Sequence, residues 1–427
     1  MPSKPHGNRA ILRLSGFIGI IPANTDRRER RMKKKAVWAV LVFAGIIAGS
    51  GGVFAADISS VVRGNSAFSA DLFSRIAASK PDENIFFSPH SISVALAMTY
   101  AGAGGRTAEQ IASVMHFQGG NEELHGGFEA LAAVLEQKKG DCRLEIANAL
   151  WGQEDYPFLQ DYIGLIDTYY GGGFRTVNFK EKKEEARRAI NEWAAAKTSG
   201  KVRELLKPDI LNELTRLVLS NAIYFRGNWA ARFDPEQTTA APFHVRPGET
   251  TEVQMMHRTG VFKFAEIDGV ELLEMPYEGD ELSMVVLLPG ITASGDAVPI
   301  DLGKLDGWLA AAFPGQTEIW LPKFRFEAEY RLDEYLKEMG MADAFSLPPA
   351  DFSGLNGRKD LYITAVIHKA VIDVNEEGSE AAAATAVVIG TKMAPRKNYF
   401  RADRPFIFLI RHNETGAILF LGRVVRP

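Results

Sequence analysis

The side chains able to do chemistry in this 427-residue chain are few and scattered. There are eight histidines and a single cysteine, Cys142. Protein zinc sites draw on Cys and His ligands at short, repeated spacings, so no metal site is expected, and nothing calls for a cofactor. The G-x-S-x-G turn that presents a nucleophilic serine is absent, as is the H-E-x-x-H of zinc proteases. "AGAGGRT", residues 101–107, has the glycines of a phosphate loop. It lacks the Gly-Lys-Ser/Thr ending and follows a helical pattern rather than a strand, so it reads as a turn. No nucleophile comes with a base, which points away from an enzyme. Asn413 in "HNETG" opens a glycosylation triplet, meaningful where the host glycosylates.

Polar residues in apolar surroundings say more. Ser220 and Asn221 interrupt "TRLVLSNAIYF", and His368 interrupts "LYITAVIHKAVIDV". A buried amide without partners costs roughly 1–3 kcal/mol. Each residue alone reads as a satisfied core group. Together they suggest a hydrogen-bonded cluster at the centre of a sheet, where strands could part.

The stretch "EEGSEAAAATAVVIGTK", Glu376 to Lys392, admits three readings. As a helix, Ser379 could cap it and the alanines propagate it, but "TAVVIG" ends it within two turns. As a linker it is too apolar and too β-branched. As a strand, alternation puts Ser379, Ala381, Ala383, Thr385, Val387, Ile389 and Thr391 on one face. Glu380, Ala382, Ala384, Ala386, Val388, Gly390 and Lys392 take the other, which holds every charge. That is a half-buried strand with one face for a core.

The elements around these residues change character along the chain. From about 64 to 200 the pattern is mostly helical. "NSAFSADLFSRIAA" sets Phe68, Leu72, Phe73 and Ile76 on one face. "SISVALAMTYAGAG" is an almost wholly apolar helix and so a buried one. "TAEQIASVMHF" opens on Thr107 as a cap with Gln110 completing a capping box, and "EEARRAINEWAAAKTSGK" is an amphipathic helix stopped by Gly200. Strands then dominate: "TRLVLSNAIYFRG", "LSMVVLLPG", "TEIWLPKFRFE", "RPFIFLIRH" and "GAILFLGRVVRP". Helices first and strands later, without regular alternation, indicates an α+β fold. There is no internal repeat.

Composition is ordinary for a globular protein, with 46% hydrophobic and 24% charged residues. Charge is uneven. Residues 1–55 hold 10 basic and 2 acidic side chains, leaving 39 against 51, a net of -12, in the rest. A body that acidic argues against nucleic acid as partner. Met32 to Lys35, then "AVWAVLVFAGIIA" and small residues up to "VFAAD", have the order of a secretory signal peptide, residues 32–55, cut after Ala55. Residues 1–31 read as an upstream extension. The expectation is a secreted protein, extracellular or periplasmic, with no membrane contact once the leader is removed. The alternative is an anchor left uncut, since 36–55 is uncharged and about long enough to span. One cysteine allows no internal disulfide, so packing must carry stability.

With these pieces assembled, the chain resembles the serpins, inhibitors of serine proteases, over residues 57–427 as one domain. "NIFFSPHSISVALAMTYAGAGGRTAEQI", "INEWAAAKTSGKVRELL" and "LSNAIYFRGNW" resemble family blocks, as do "VIHKAVIDVNEEGSEAAAAT" and "FRADRPFIFLI" on either side of the loop. His90 within "SPHS" departs from the family's usual apolar or uncharged residue. The resemblance implies eight or nine helices on three sheets with an exposed reactive loop at about 376–400. It implies a shutter of Ser88, Ser91, Asn221 and His368, and a breach with Trp229 and Lys323, the latter paired with Glu376. The hinge would run through Glu376, Glu377, Gly378, Ser379, Glu380, Ala381, Ala382, Ala383, Ala384 and Thr385.

Counting from Gly378 in the family's manner sets the reactive bond at Lys392–Met393. The implied partner is a serine protease, trypsin-like because of Lys392, captured as a covalent acyl complex while the loop enters the central sheet. Met393 before the bond would instead favour an elastase- or chymotrypsin-like target. The protein itself is expected to be a monomer. The alternative is a non-inhibitory serpin, a ligand carrier or chaperone; such members tend to have bulky, charged or proline residues in the hinge, whereas this one is uniformly small. "NEELHGGFEALAAVLEQ" is acidic, so control by glycosaminoglycans is not expected.

Overall fold

The computed structural model describes residues 58–137, 142–378 and 397–427. The leader, hinge residues 379–385 and the 392–393 bond lie outside them. Nine α-helices fall within the described residues: α1 (58–79), α2 (Pro89–Tyr100), α3 (Gly105–Met115), α4 (Asn121–Leu135), α5 (Gln160–Tyr170), α6 (Lys183–Lys197), α7 (Leu305–Ala311), α8 (Asp333–Met339) and α9 (Ser353–Asn356). The early strands are β1 (Ile85–Phe87), β2 (Arg143–Gln153), β3 (Phe174–Val177), β4 (Leu217–Arg226), β5 (Thr239–Arg246), β6 (Glu249–Ile267) and β7 (Val270–Pro276). They are followed by β8 (Leu282–Pro289), β9 (Phe313–Pro322), β10 (Phe324–Arg331), β11 (Ile363–Val374), β12 (Asn398–Arg401), β13 (Phe406–His412) and β14 (Ile418–Val424).

The helices follow the apolar patterns. Phe68, Leu72, Phe73 and Ile76 of α1 are all buried on one side. In α2, ten of twelve residues are buried, as an all-round apolar helix must be. Pro89 opens α2 with its ring already at helical φ, and the Ser88 side chain accepts the Ser91 N–H at 3.2 Å as the cap. The start of α3 corrects the sequence expectation. The helix begins at Gly105 after a Gly104 cap, so Thr107 and Gln110 sit inside it. Their side chains accept N–H groups of distant loops instead, Thr107 from Asp351 and Gln110 from Asp343, each at 2.9 Å.

"TEIWLPKFRFE" proves to be two strands in two sheets. β9 ends at Pro322 and β10 starts at Phe324, so Lys323 sits at the crossing. One sheet has five strands in the order β10-β11-β4-β2-β3. The other hydrogen-bonded network has nine, β1-β14-β13-β8-β7-β6-β9-β12 with β5 on β6. β6 is what links the two sheets that the resemblance counts separately there. It runs for 19 residues, pairing with β5 at its start, β9 in its middle and β7 at its end. A strand of the usual length, about 5–6 residues, would leave them apart.

The five-stranded sheet lies between two apolar layers. Val218, Ala222, Ala365, Ile367 and Val371 pack with Ala186, Ile190 and Ala194 of α6. The opposite face joins the larger cores beneath, through residues such as Leu219, Ile223, Val366 and Ile372.

Candidate functional site

The feature that organises the site is the seam between β4 and β11. These strands run parallel, with Ser220 opposite Ile367 and Asn221 opposite His368. Their outer neighbours β2 and β10 are antiparallel to them. No strand lies between β4 and β11 over that register, which extends from Leu217↔Ile363 to Tyr224↔Val371.

Along each strand, successive side chains point to opposite faces. Asn221 and His368 therefore share the face turned toward α2, while Ser220 faces α6. This corrects the expectation of one cluster of three. Ser220 instead accepts the Trp151 indole N–H at 2.7 Å on the far side of the sheet.

On the α2 face the polar residues form a closed chain of hydrogen bonds. The Ser88 backbone N–H donates to His368 Nε2 at 3.0 Å, so that nitrogen carries no proton. The proton sits on Nδ1 and is donated to Asn221 Oδ1 in a short bond. Asn221 Nδ2 in turn donates to Asn148 Oδ1 on β2, which also accepts Ser91 Oγ at 3.2 Å. Burial pushes the His368 imidazole down to about 3, which keeps the ring neutral, as this arrangement requires. The structure thus brings Ser88, Ser91, Asn221 and His368 together and adds Asn148. The signal for Asn148 was an amide within the apolar run "EIANALW", where a buried amide must find partners.

The second set gathers where β11 ends. Asn375 to Gly378 make a tight turn closed by an antiparallel bridge between those two residues. Backbone bonds clip the turn to the segment after β4. Trp229 N–H donates to Glu377 O and Phe233 N–H to Glu376 O, both at 3.0 Å. The Trp229 indole N–H adds a bond to Asn375 O at 3.0 Å, and its ring stacks on Tyr277 at 4.6 Å. Gly378 has φ +89, and a Cβ there would stand 2.3 Å from Trp229 N and 2.5 Å from Gly227 O. Both the handedness and the close approach require glycine.

Glu376 is nearly buried in this turn. Its carboxylate meets Lys323 Nζ at 2.8 Å and accepts the Thr238 hydroxyl at 2.8 Å. Burial pushes this carboxyl up, but Lys323, its own backbone N–H and Thr238 together hold it below the usual carboxylate range. Lys323 reaches it from the crossing between the two sheets. Thr238, Phe233 and Asn375 were not anticipated. Their contributions come from positions in the fold rather than from a motif.

Comparison with known proteins gives the family and the fold. The family model described as serpin (serine protease inhibitor) matches residues 63–427. The chain is 40% identical to leukocyte elastase inhibitor A of Rattus norvegicus and 39% identical to leukocyte elastase inhibitor of Homo sapiens, with 85% of this chain and 98% of each relative covered. Among solved structures, uncleaved ovalbumin matches with a TM-score of 0.77 at 32% identity, over 86% of this chain and 100% of that one.

These relatives overturn the expectation of secretion. They are covered over 98% of their length by 85% of this chain, which leaves them no segment corresponding to the leader. No helix among the described residues is long and apolar enough to cross a membrane. The extracellular or periplasmic location is withdrawn; the alternative of a membrane anchor falls on residues 36–55, which lie outside the described residues. The chain belongs to the serpin family and is an inhibitor of serine proteases, not an enzyme.

Proposed function

We propose that the chain is a suicide substrate for a trypsin-like serine protease, attacked at Lys392–Met393 and locked by insertion of its loop between β4 and β11. The observation that carries this reading is the parallel seam with a turn already formed at its end. A chain leaving β11 through the Asn375–Gly378 turn and folding back must run antiparallel to β11, and so to β4 as well. Its entry would replace one parallel ladder by two antiparallel ones, which bond slightly better per residue. The shutter residues are the groups that such an entry separates, and the turn with Glu376 and Lys323 is the hinge that launches it.

The loop sequence suits that role. Residues 379–392 would span about 46 Å at ~3.3 Å each, enough to carry an acyl-linked protease across the body. Ladder bonds at about 1 kcal/mol each are set against ordering costs of about 1–2 kcal/mol per residue. Burial of Val387 and Ile389, about 1.5–3 kcal/mol apiece, adds the bias toward insertion. The small residues from Ser379 to Thr385 enter without desolvating a charge, except at Glu380, which falls on the outward face. Lys392 fits a specificity pocket with an acid at its base.

A second reading concerns the target alone. The relatives are elastase inhibitors, and Met393 preceding the bond would suit an elastase- or chymotrypsin-like enzyme. Incubation with trypsin and, separately, with leukocyte elastase distinguishes the two on a denaturing gel. A band at the summed mass with trypsin, and a released fragment beginning at Met393, support the first reading. A fragment beginning at Ala394 supports the second. Clean cleavage by both enzymes, with no covalent band, would make the chain a carrier or chaperone and defeat the proposal.

A further inference from the structure

The reactive loop runs between Gly378 and Lys397, and one strand holds both of its roots. At the hinge root, Lys323 directly after β9 pairs with Glu376. At the other root, Glu318 within β9 takes Lys397, the residue before β12, on Oε2. Its second oxygen, Oε1, meets His257 Nε2 of β6 at 2.9 Å. Lys397 first, and His257 after it, hold the Glu318 carboxyl below the usual carboxylate range against the opposing effect of burial. Glu318 and Lys323 are five residues apart, about 17 Å of strand, so both roots lie near one end of the seam.

Side chains fasten β12 more firmly than its length would suggest. It has four residues, paired with β9 from Asn398↔Thr317 to Arg401↔Trp320. Alternation puts Lys397, Tyr399 and Arg401 on the outer face. There the Arg401 guanidinium lies 5.5 Å from the Trp320 ring, which stacks on His257 at 4.9 Å. Lys397 lies 5.8 Å from the Tyr399 ring. On the inner face Phe400 is fully buried. Cross-strand and cation–ring pairs of this kind each strengthen the hold of one strand on its neighbour.

Chain length turns this clasp into a lock. Entry of residues 379–392 beside β11 would carry Lys392 about 46 Å from the hinge at ~3.3 Å per residue. The five steps from Lys392 to Lys397 reach at most about 18 Å, less than half of that. Full entry of an uncut loop therefore pulls Lys397 off Glu318 and strips β12 from β9, whereas in a cut chain β12 stays in place. We propose that the Glu318 clasp on Lys397, backed by Trp320 and Arg401, keeps the uncut loop out of the seam and so sets the lifetime of the inhibitory form. This role rests on the insertion reading above, and it names the side chains that make insertion wait for the cut.

The test holds the full chain and its E318Q and K397Q variants, singly and together, uncut at the temperature where the parent loses half its complex-forming capacity in one day. Samples taken over time are mixed with whichever of trypsin and leukocyte elastase forms the covalent band, then run on a denaturing gel. The remainder is melted and sized. Each single variant should lose capacity about threefold faster, the scale of a partly exposed ion pair. The double variant should be no faster than E318Q alone, because both changes break one contact. Equal complex yields at time zero show that the variants fold, and K397Q, at a partly exposed position, carries the test alone if E318Q does not. The spent molecules should be uncut monomers with a raised Tm. An unchanged lifetime in the single variants, additive effects in the double, or loss into aggregates overturns the clasp and leaves insertion standing. A parent chain whose Tm does not rise when it is nicked by a nonspecific endopeptidase removes insertion itself, and the clasp with it.

Discussion

Asn221→Ala tests the seam most directly. Asn221 and His368 face each other across β4 and β11, so their bond exists only while those strands are neighbours. Removing the amide strands the His368 Nδ1–H in a fully buried position and takes one donor from Asn148, which keeps Ser91. An unsatisfied buried donor costs about 1–3 kcal/mol. At about 2–4 °C per kcal/mol for large domains, the intact protein should melt on the order of 5 °C lower. In the cut form an inserted strand would stand between the two residues, separating β4 and β11 by two strand spacings of about 4.8 Å each. Their bond would be absent there with or without the substitution. The variant should therefore lower the Tm of the intact protein and leave the nicked protein nearly unchanged, widening the gap between them. Differential scanning calorimetry of both forms, nicked with a nonspecific endopeptidase, reads this. If nicked and intact forms lose stability equally, the strands do not part in the cut form and the insertion argument fails.

Three further outcomes follow from the same geometry. Ser379→Arg would put a charge on the inward face of the entering strand, so covalent complex should give way to cleaved inhibitor on a denaturing gel; full complex yield would remove the hinge from the mechanism. Lys323→Met leaves Glu376 nearly buried with the Thr238 hydroxyl and backbone N–H as its remaining partners, and should destabilise the intact form by about 1–3 kcal/mol in urea unfolding; no change in the midpoint would show that the ion pair is idle. Burial also pushes His90 and His125 down to about 4 and His368 to about 3. These rings bind protons in the unfolded chain at higher pH than in the folded one, so the stability they contribute is full above about pH 6.5 and is lost as pH falls toward those values. Each should cost about 1.4 kcal/mol per pH unit over that window, and a flat denaturation midpoint from pH 7 to pH 5 would contradict their burial as neutral rings.

Much of this was legible before any coordinates. The α1 face, the all-apolar α2 and the long runs of β4, β8 and β11 follow from periodicity, because burial of a face fixes which positions must be apolar. Asn221 and His368 stood out because a polar group in an apolar strand has to be paired. Ser220 was grouped with them although it is one residue from Asn221, and alternation sends it to the opposite face, to Trp151. Thr107 and Gln110 had the spacing of a capping box, but loops distant in sequence claimed both side chains. The leader-like opening led to secretion, which the similarity to relatives without such a segment reversed.

Local chemistry in the sequence determined the elements and the buried polar positions. Only the tertiary structure decided that β4 and β11 are neighbours, that they run parallel, and that Asn148 from β2 completes the chain of bonds between them. Pairing between strands separated by well over a hundred residues depends on which register buries both faces at once. That is a property of the whole packed sheet, which no single stretch of sequence carries.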